Sequence, residues 1–533
     1  MMDGSCAVCS VAAKSRCSNC HQTHYCSKEH QKAHWKQHKP DCHPFKVEND
    51  EKLGRFLIAT RDIKPFEVIL REGYVVRGPS QNTQPVCLGC LNGIDEGDHI
   101  DCERCGWPLC SPDCQHIAEH NSECSLLCSA GNKVSINYFN GSEPHPMYQC
   151  VTPIRTLLLK DVAAEKWQQL NELESHQNLR RGSAQWKNDV EGIAKSLPRI
   201  FKVGKDRYSE EEIMRITGML QINGHEVPTS DPPHVAIYHK CSLLEHSCSP
   251  NVTKSFTKNG SVVLWSTLAI KKGAHLSICY SDALWGTAAR QSHLQFTKLF
   301  KCQCDRCKDV SEFATNYSAL LCTKDDNCNG AVLPVSCEHW DDKWQCCECG
   351  DIVDKRRVDI IMDRAGQDLR AMPKASIDAC RKYLEHYGKL LYKNHFFLVE
   401  VKIQLVQFIG AAVTLPGGGT GSSHNSLQLI DSELLETKIR LASEVIQLVE
   451  KLAPTEARIL GLMCFEIHSG LSEKARRIPL ESADASVELL KLSYEYVEKT
   501  VSYLQYEPSI LSEGYILKQA QENREYLKSF MGF

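Results

Sequence analysis

The cysteines constrain this chain more than any other feature. Twenty-nine occur in 533 residues, many of them paired at short spacing. Cys6-x-x-Cys9, Cys17-x-x-Cys20, Cys26-x-x-x-His30 and His38-x-x-x-Cys42 open the chain. Cys87-x-x-Cys90, Cys102-x-x-Cys105, Cys110-x-x-x-Cys114 and His120-x-x-x-Cys124 repeat that plan almost position for position. Chance thiol placement does not produce such an internal repeat. Eight ligands per module make two tetrahedral sites, and four protein ligands per ion leave no position for substrate, so the sites are structural. Residues 1–14 hold no apolar run behind a basic segment, as a secretory signal would. No uncharged apolar stretch approaches the ~20 residues that span a bilayer. The expected setting is therefore a reducing nucleus and cytoplasm, where paired cysteines bind zinc instead of forming disulfides.

A finger of this size has too little core to fold alone, so its metal must supply the stability. Lys14, Arg16, Lys28, Lys32, Lys36, Lys39 and Lys46 give the first finger a locally basic face, but the formal net charge of −4 sets up no global basic field. Direct nucleic-acid binding is not expected on that basis. Length and 42% hydrophobic composition suit two or three domains with buried cores. Alternating apolar residues between Leu53 and Val76 predict two short strands, Trp167, Leu170 and Leu173 share a helical face, and Val262–Ile270 reads as a strand. Cys302-x-Cys304-x-x-Cys307 is a three-ligand cluster that needs a fourth. Cys322-x5-Cys328 with Cys346-x-x-Cys349 reads as a small zinc ribbon in which Cys337 and Cys347 compete as ligands. Beyond residue 355 the chain turns helical, with stripes at Ile377, Cys380, Leu384, Tyr387 and Leu391 and at Val487, Leu490, Tyr494, Val497, Val501 and Leu504. A glycine-rich loop, Leu415–Ser423, separates two of those helices.

Near the middle stands Leu244-Glu245-His246-Ser247-Cys248-Ser249-Pro250-Asn251, which resembles the N-H-S-C-x-P-N signature of SET-domain lysine methyltransferases. The two eight-ligand modules resemble MYND fingers. Together they resemble the SMYD family of SET-and-MYND proteins, and the additional finger in front resembles that family's arthropod branch. The resemblance implies an α+β fold: a small-strand SET β-fold with inserted zinc fingers, followed by an all-α, TPR-like helical domain. The implied boundaries are an N-terminal finger at 1–45, a SET domain at 46–300 with a second finger at 87–124, a post-SET and ribbon segment at 301–352, and helices over 353–533. It also implies interleaved ligand sets: Cys6 and Cys9 with Cys26 and His30, Cys17 and Cys20 with His38 and Cys42, and the same plan in the second finger. Cys248 would complete the cluster of Cys302, Cys304 and Cys307, giving about six zinc ions in all.

By the same resemblance the cofactor is S-adenosylmethionine. Gly54, Arg55, Asn223, Glu245, His246, Tyr280 and Phe300 would touch it, Phe300 stacking near the adenine, and Leu173–His176 is similar to a helical segment beside it. Methyl transfer to lysine needs a neutral amine held in line, and Tyr280 is the catalytic candidate. Four departures from the family pattern stand against this. Phe56 replaces a glycine at which backbone and cofactor approach closely. Glu245 replaces an amide, Ala274 and His275 replace an acid pair, and Lys298 replaces an aromatic of the lysine channel, where a cation repels an incoming ammonium. Two functions follow: a lysine methyltransferase acting on a histone or another protein, or a SET-fold scaffold that recruits partners such as transcriptional corepressors. In either, the fingers would dock proline-rich peptides.

Overall fold

The computed structural model describes the chain apart from residues 1–4, 18–22, 40–41, 52, 96, 137–142, 205, 325–326, 338–339, 341–342, 374, 411–426 and 533. Cys20 and the expected loop Leu415–Ser423 lie outside the described residues. In the N-terminal unit, strand Ser15–Arg16 pairs antiparallel with His24–Tyr25, and helix Lys28–His38 follows. The Ser27 hydroxyl accepts from the His30 N–H at 3.3 Å, fixing the first turn so that Cys26 and His30 project together. The interior of this unit is Cys6, Cys17, Tyr25 and Cys42, one ring among thiols.

The two strands expected between residues 53 and 76 form in different sheets. Gly54–Ala59 pairs with Phe45–Asp50, from Phe45 opposite Ala59 to Asp50 opposite Gly54. Val68–Glu72 instead flanks Val262–Trp265, whose other neighbour is Thr253–Phe256. Val262–Trp265 is buried along its whole length, because its two faces meet different partners. Val262 and Leu264 join the central core, while Val263 and Trp265 pack with Phe66, Ala457, Tyr503 and Tyr506. A third sheet sets His234–Ile237 between Val76–Gly78 and His225–Val227. The shortest pairing is a parallel one, Glu245–His246 against Ser277–Ile278.

Helices Val151–Val162 and Glu210–Asn223 cover these sheets. Leu170 is fully buried as its periodicity requires, but Leu173–His176 is not helical: helix Ala164–Asn171 has ended, and His176 takes a left-handed φ of 46°. The second finger, with strands Ile100–Asp101 and Pro108–Leu109 and helix Ala118–Ser129, shares the central core. Cys87, Cys102, Cys105, Cys114 and Cys124 pack in one cluster with Leu57, Tyr148 and Ile154.

After residue 300 a four-stranded sheet, in the order Leu320–Leu321, Ala331–Pro334, Trp344–Cys346, Ile352–Val353, leads into the helical region. Seven helices follow among the described residues: Lys355–Ala371, Ile377–Tyr387, Phe396–Phe408, Ser432–Leu452, Ala457–Arg476, Ala483–Leu504 and Ser512–Met531. The predicted stripes face inward with one exception: Cys380, Leu391, Val497 and Leu504 are fully buried, whereas Val487 is 40% exposed. None of the described helices is long and apolar enough to cross a membrane. The region is tied to the sheets by Thr253 Oγ1 donating to Thr455 O (2.9 Å), Thr267 Oγ1 to Pro454 O (2.8 Å) and Ser255 Oγ to Glu507 Oε1 (2.7 Å).

Candidate metal centres and cofactor site

Five sets of four Cys/His ligand atoms gather so that all members lie within 4.8 Å of one another: Cys6, Cys9, Cys26, His30; Cys87, Cys90, Cys110, Cys114; Cys102, Cys105, His120, Cys124; Cys248, Cys302, Cys304, Cys307; and Cys322, Cys328, Cys346, Cys349. Four sulfurs at ~2.3 Å around one ion sit ~3.8 Å apart along the tetrahedral edges. The observed separations are 3.5 Å for Cys90–Cys110, 3.9 Å for Cys102–Cys124, 3.5 Å for Cys248–Cys307 and 3.7 Å for Cys322–Cys349. None of the 28 described cysteines is in a disulfide. Geometry and the S/N donor set therefore fit zinc. Of the sixth expected site, Cys17 and Cys42 stand 3.8 Å apart and His38 is buried against Tyr25; Cys20 is outside the described residues. Cys337 and Cys347 do not belong to the ribbon cluster. Alternation along Trp344–Cys346 turns Cys347 to the side opposite Cys346, where it is exposed.

Two buried charge groups behind the metal centres escaped sequence reasoning. His120 Nδ1 lies 3.3 Å from Glu123, whose carboxylate also takes the Arg155 guanidinium, all three being buried. That contact orients the ring from behind its ligand face. At the cluster of Cys248, Arg306 donates to Cys248 O at 3.0 Å, and Glu312 accepts from both Arg306 (2.8 Å) and Arg290 (3.0 Å) with no exposure. Burial pushes the Glu312 carboxyl up, but the two guanidinium groups outweigh it and hold the group below its usual range. Four thiolates around a divalent ion leave two negative charges in the core, and the arginines offset them. Glu123 and Arg306 lie next to ligands in sequence, but Arg155, Arg290 and Glu312 come from elsewhere in the chain, and no ligand motif announces them.

The parallel pair Glu245–His246 and Ser277–Ile278 brings the signature beside Tyr280. The Tyr280 N–H donates to His246 Nδ1 at 3.0 Å, its hydroxyl donates to Leu244 O, and the ring centroids of His246 and Tyr280 lie 5.2 Å apart. Phe300 closes on His246 edge to face at 5.8 Å. Burial holds the Tyr280 phenol above its usual range, so it stays a donor. From Tyr280 a run of contacts reaches the other predicted residues. Lys298 Nζ sits 5.7 Å from the Tyr280 ring centroid and donates to Ile222 O (2.7 Å) and Gln221 O (3.3 Å). The next residue, Asn223, donates through Nδ2 to Glu174 O at 2.7 Å. Two residues back, Glu172 takes Arg55 on its carbonyl and carboxylate and His239 at 2.6 Å. Gly54 adopts φ +68°, and a Cβ built there meets nothing within 4 Å, so its backbone stands open to a ligand.

The departures do not act separately. Phe56, 7% exposed, stacks on His275 at 4.6 Å and 14° between planes, and His275 Nδ1 lies 3.0 Å from Glu245 Oε2. Three positions at which the signature breaks thus form one contact set joining strand Gly54–Ala59 to the crossing. The Phe56 ring is occupied by that stack.

A model of the MYND finger matches residues 6–42, and a model of the SET domain matches residues 54–281. The chain pairs a MYND finger with a SET domain, as SMYD proteins do. Among its relatives, SET domain-containing protein SmydA-8, isoform A, of Drosophila melanogaster is 26% identical over 308 residues, 56% of this chain and 63% of the relative. Histone-lysine N-methyltransferase SMYD3 of Mus musculus is 26% identical over 276 residues, 48% of this chain and 59% of that protein. The match therefore spans less than two thirds of either relative's length. The solved SET domain of LSMT bound to lysine and AdoHcy aligns over 93% of this chain and 92% of that chain, at a TM-score of 0.28 and 12% identity, too loose a likeness to argue from. Several of the proteins it resembles, SMYD3 among them, are named lysine methyltransferases.

Proposed function

We propose that this chain is an S-adenosylmethionine-dependent protein-lysine N-methyltransferase, acting in the nucleus and cytoplasm on a histone or another protein. In this reading six zinc ions hold the fold and the MYND fingers dock protein or proline-rich segments. The observation that carries the reading is the crossing itself: Tyr280 bonded to both Leu244 and His246, with Phe300 beside His246. The cofactor, when bound, supplies an electrophilic methyl carbon on a sulfonium. Gly54 and Arg55 on one side, Asn223 at the helix end and His246 with Phe300 on the other would hold it. Tyr280, kept protonated, orients the acceptor without offering a carboxylate that would retain the amine's proton. Incubating full-length protein with methyl-labelled cofactor and mixed histones tests this. Label should pass to protein, and Tyr280→Phe should lower the rate by roughly 10²-fold.

One observation favours a second reading, a SET-fold scaffold that recruits corepressor-type partners through its fingers and helices: the Lys298 ammonium beside Tyr280. If the cofactor binds but no protein in a whole-cell extract takes label, the scaffold reading stands.

A further inference from the structure

We infer that Lys298 makes the proposed cofactor site select by charge, disfavouring the sulfonium S-adenosylmethionine and favouring the neutral thioether S-adenosylhomocysteine. The inference rests on the cofactor reading proposed above. Lys298 follows helix Thr287–Thr297 as its C-terminal cap and is fixed by two carbonyls at the end of helix Glu210–Asn223, where the helix dipole favours a cation. Among the described residues its partners are carbonyl oxygens and the Tyr280 ring, with no carboxylate paired to it. A second cation stands near. Lys254, on strand Thr253–Phe256, lies with its Nζ 3.4 Å from His225 Nδ1.

The groups facing one another here are largely basic and buried. Burial lowers Lys298 to about 8, and the charge of Lys254 pushes it further in the same direction. His225 is pushed well down by burial and then by both lysines. Lys254 is lowered by burial and by Arg458, against which Cys241, Cys279 and Glu226 pull upward. The carboxylate nearest the signature, Glu245, is engaged by His275. Lys298 keeps most of its charge at neutral pH, so a fixed ammonium stands beside Tyr280. A sulfonium brought within roughly 7 Å of it, at an effective dielectric of about 20, loses on the order of ten-fold or more in affinity relative to the uncharged thioether.

Calorimetric titration of both nucleosides into the full chain tests this, using wild type, Lys298→Arg, and the neutral variants Lys298→Met and Lys298→Gln. Gln can still donate to the two carbonyls if Met weakens the fold, and melting temperatures check folding in each case. The thioether should bind tighter in wild type and Lys298→Arg, and the ratio of affinities should fall about ten-fold in the neutral variants. An unchanged ratio in a folded neutral variant overturns the inference and leaves the cofactor reading standing. Failure of both nucleosides to bind overturns both.

Discussion

At the scale of single residues, Phe56, Glu245 and His275 each look like an isolated loss when taken against a motif. They are 30 to 219 positions apart in sequence, and no periodicity links them, yet the fold stacks Phe56 on His275 and bonds His275 to Glu245. Removing the ring should therefore unsettle the strand: Phe56→Gly is expected to cost about 3 kcal/mol, read by denaturant unfolding, through lost burial and added backbone freedom. The ion pair is partly exposed, so a double-mutant cycle on Glu245→Ala and His275→Ala should return less than about 1 kcal/mol of coupling. Lys298 was legible as a cation in an aromatic's place, but its anchors are backbone carbonyls of residues 221 and 222, which leave no mark in sequence. The same holds for Tyr280: its identity was readable, its bonds to Leu244 O and His246 were not.

Among elements, the zinc modules were the most legible because most ligand pairs lie within one tight loop or one helical turn, and local spacing fixes local geometry. The ribbon was ambiguous for a physical reason. Cys346 and Cys347 are adjacent, and only the pleat of Trp344–Cys346 decides which of them faces Cys322. The two fingers should respond differently to chelation. Among the described residues the first has little inside beyond thiols, Tyr25 and His38, so it should unfold on early metal loss, while the second, packed into the central core, should hold longer; limited proteolysis during chelator titration would show the order. Metal analysis of the intact chain should return about six zinc ions. Behind Cys248, Glu312→Gln breaks the buried ion pairs that Arg290 and Arg306 share on one carboxylate and should cost about 3–5 kcal/mol in thermal or denaturant unfolding.

On the scale of the whole molecule, the sequence announced helices after residue 355 by their stripes, but not how they dock. Docking runs through Val262–Trp265, a strand that reads as uniformly apolar because its second face is covered by Ala457, Tyr503 and Tyr506 rather than by solvent. Trp265→Ala should cost about 3–5 kcal/mol and split thermal unfolding into two transitions as the helices uncouple from the sheets; calorimetric scanning reads both effects. The pocket's own integrity rests on this frame, since the strands and the helix ends that position Arg55, Asn223 and Tyr280 belong to one core. Equilibrium dialysis of labelled S-adenosylmethionine against the full chain tests that account most directly. It predicts saturable binding of one equivalent per chain with a Kd between about 1 μM and 1 mM, retained by Tyr280→Phe and weakened by Asn223→Ala; no bound ligand at roughly 1 mM would contradict it.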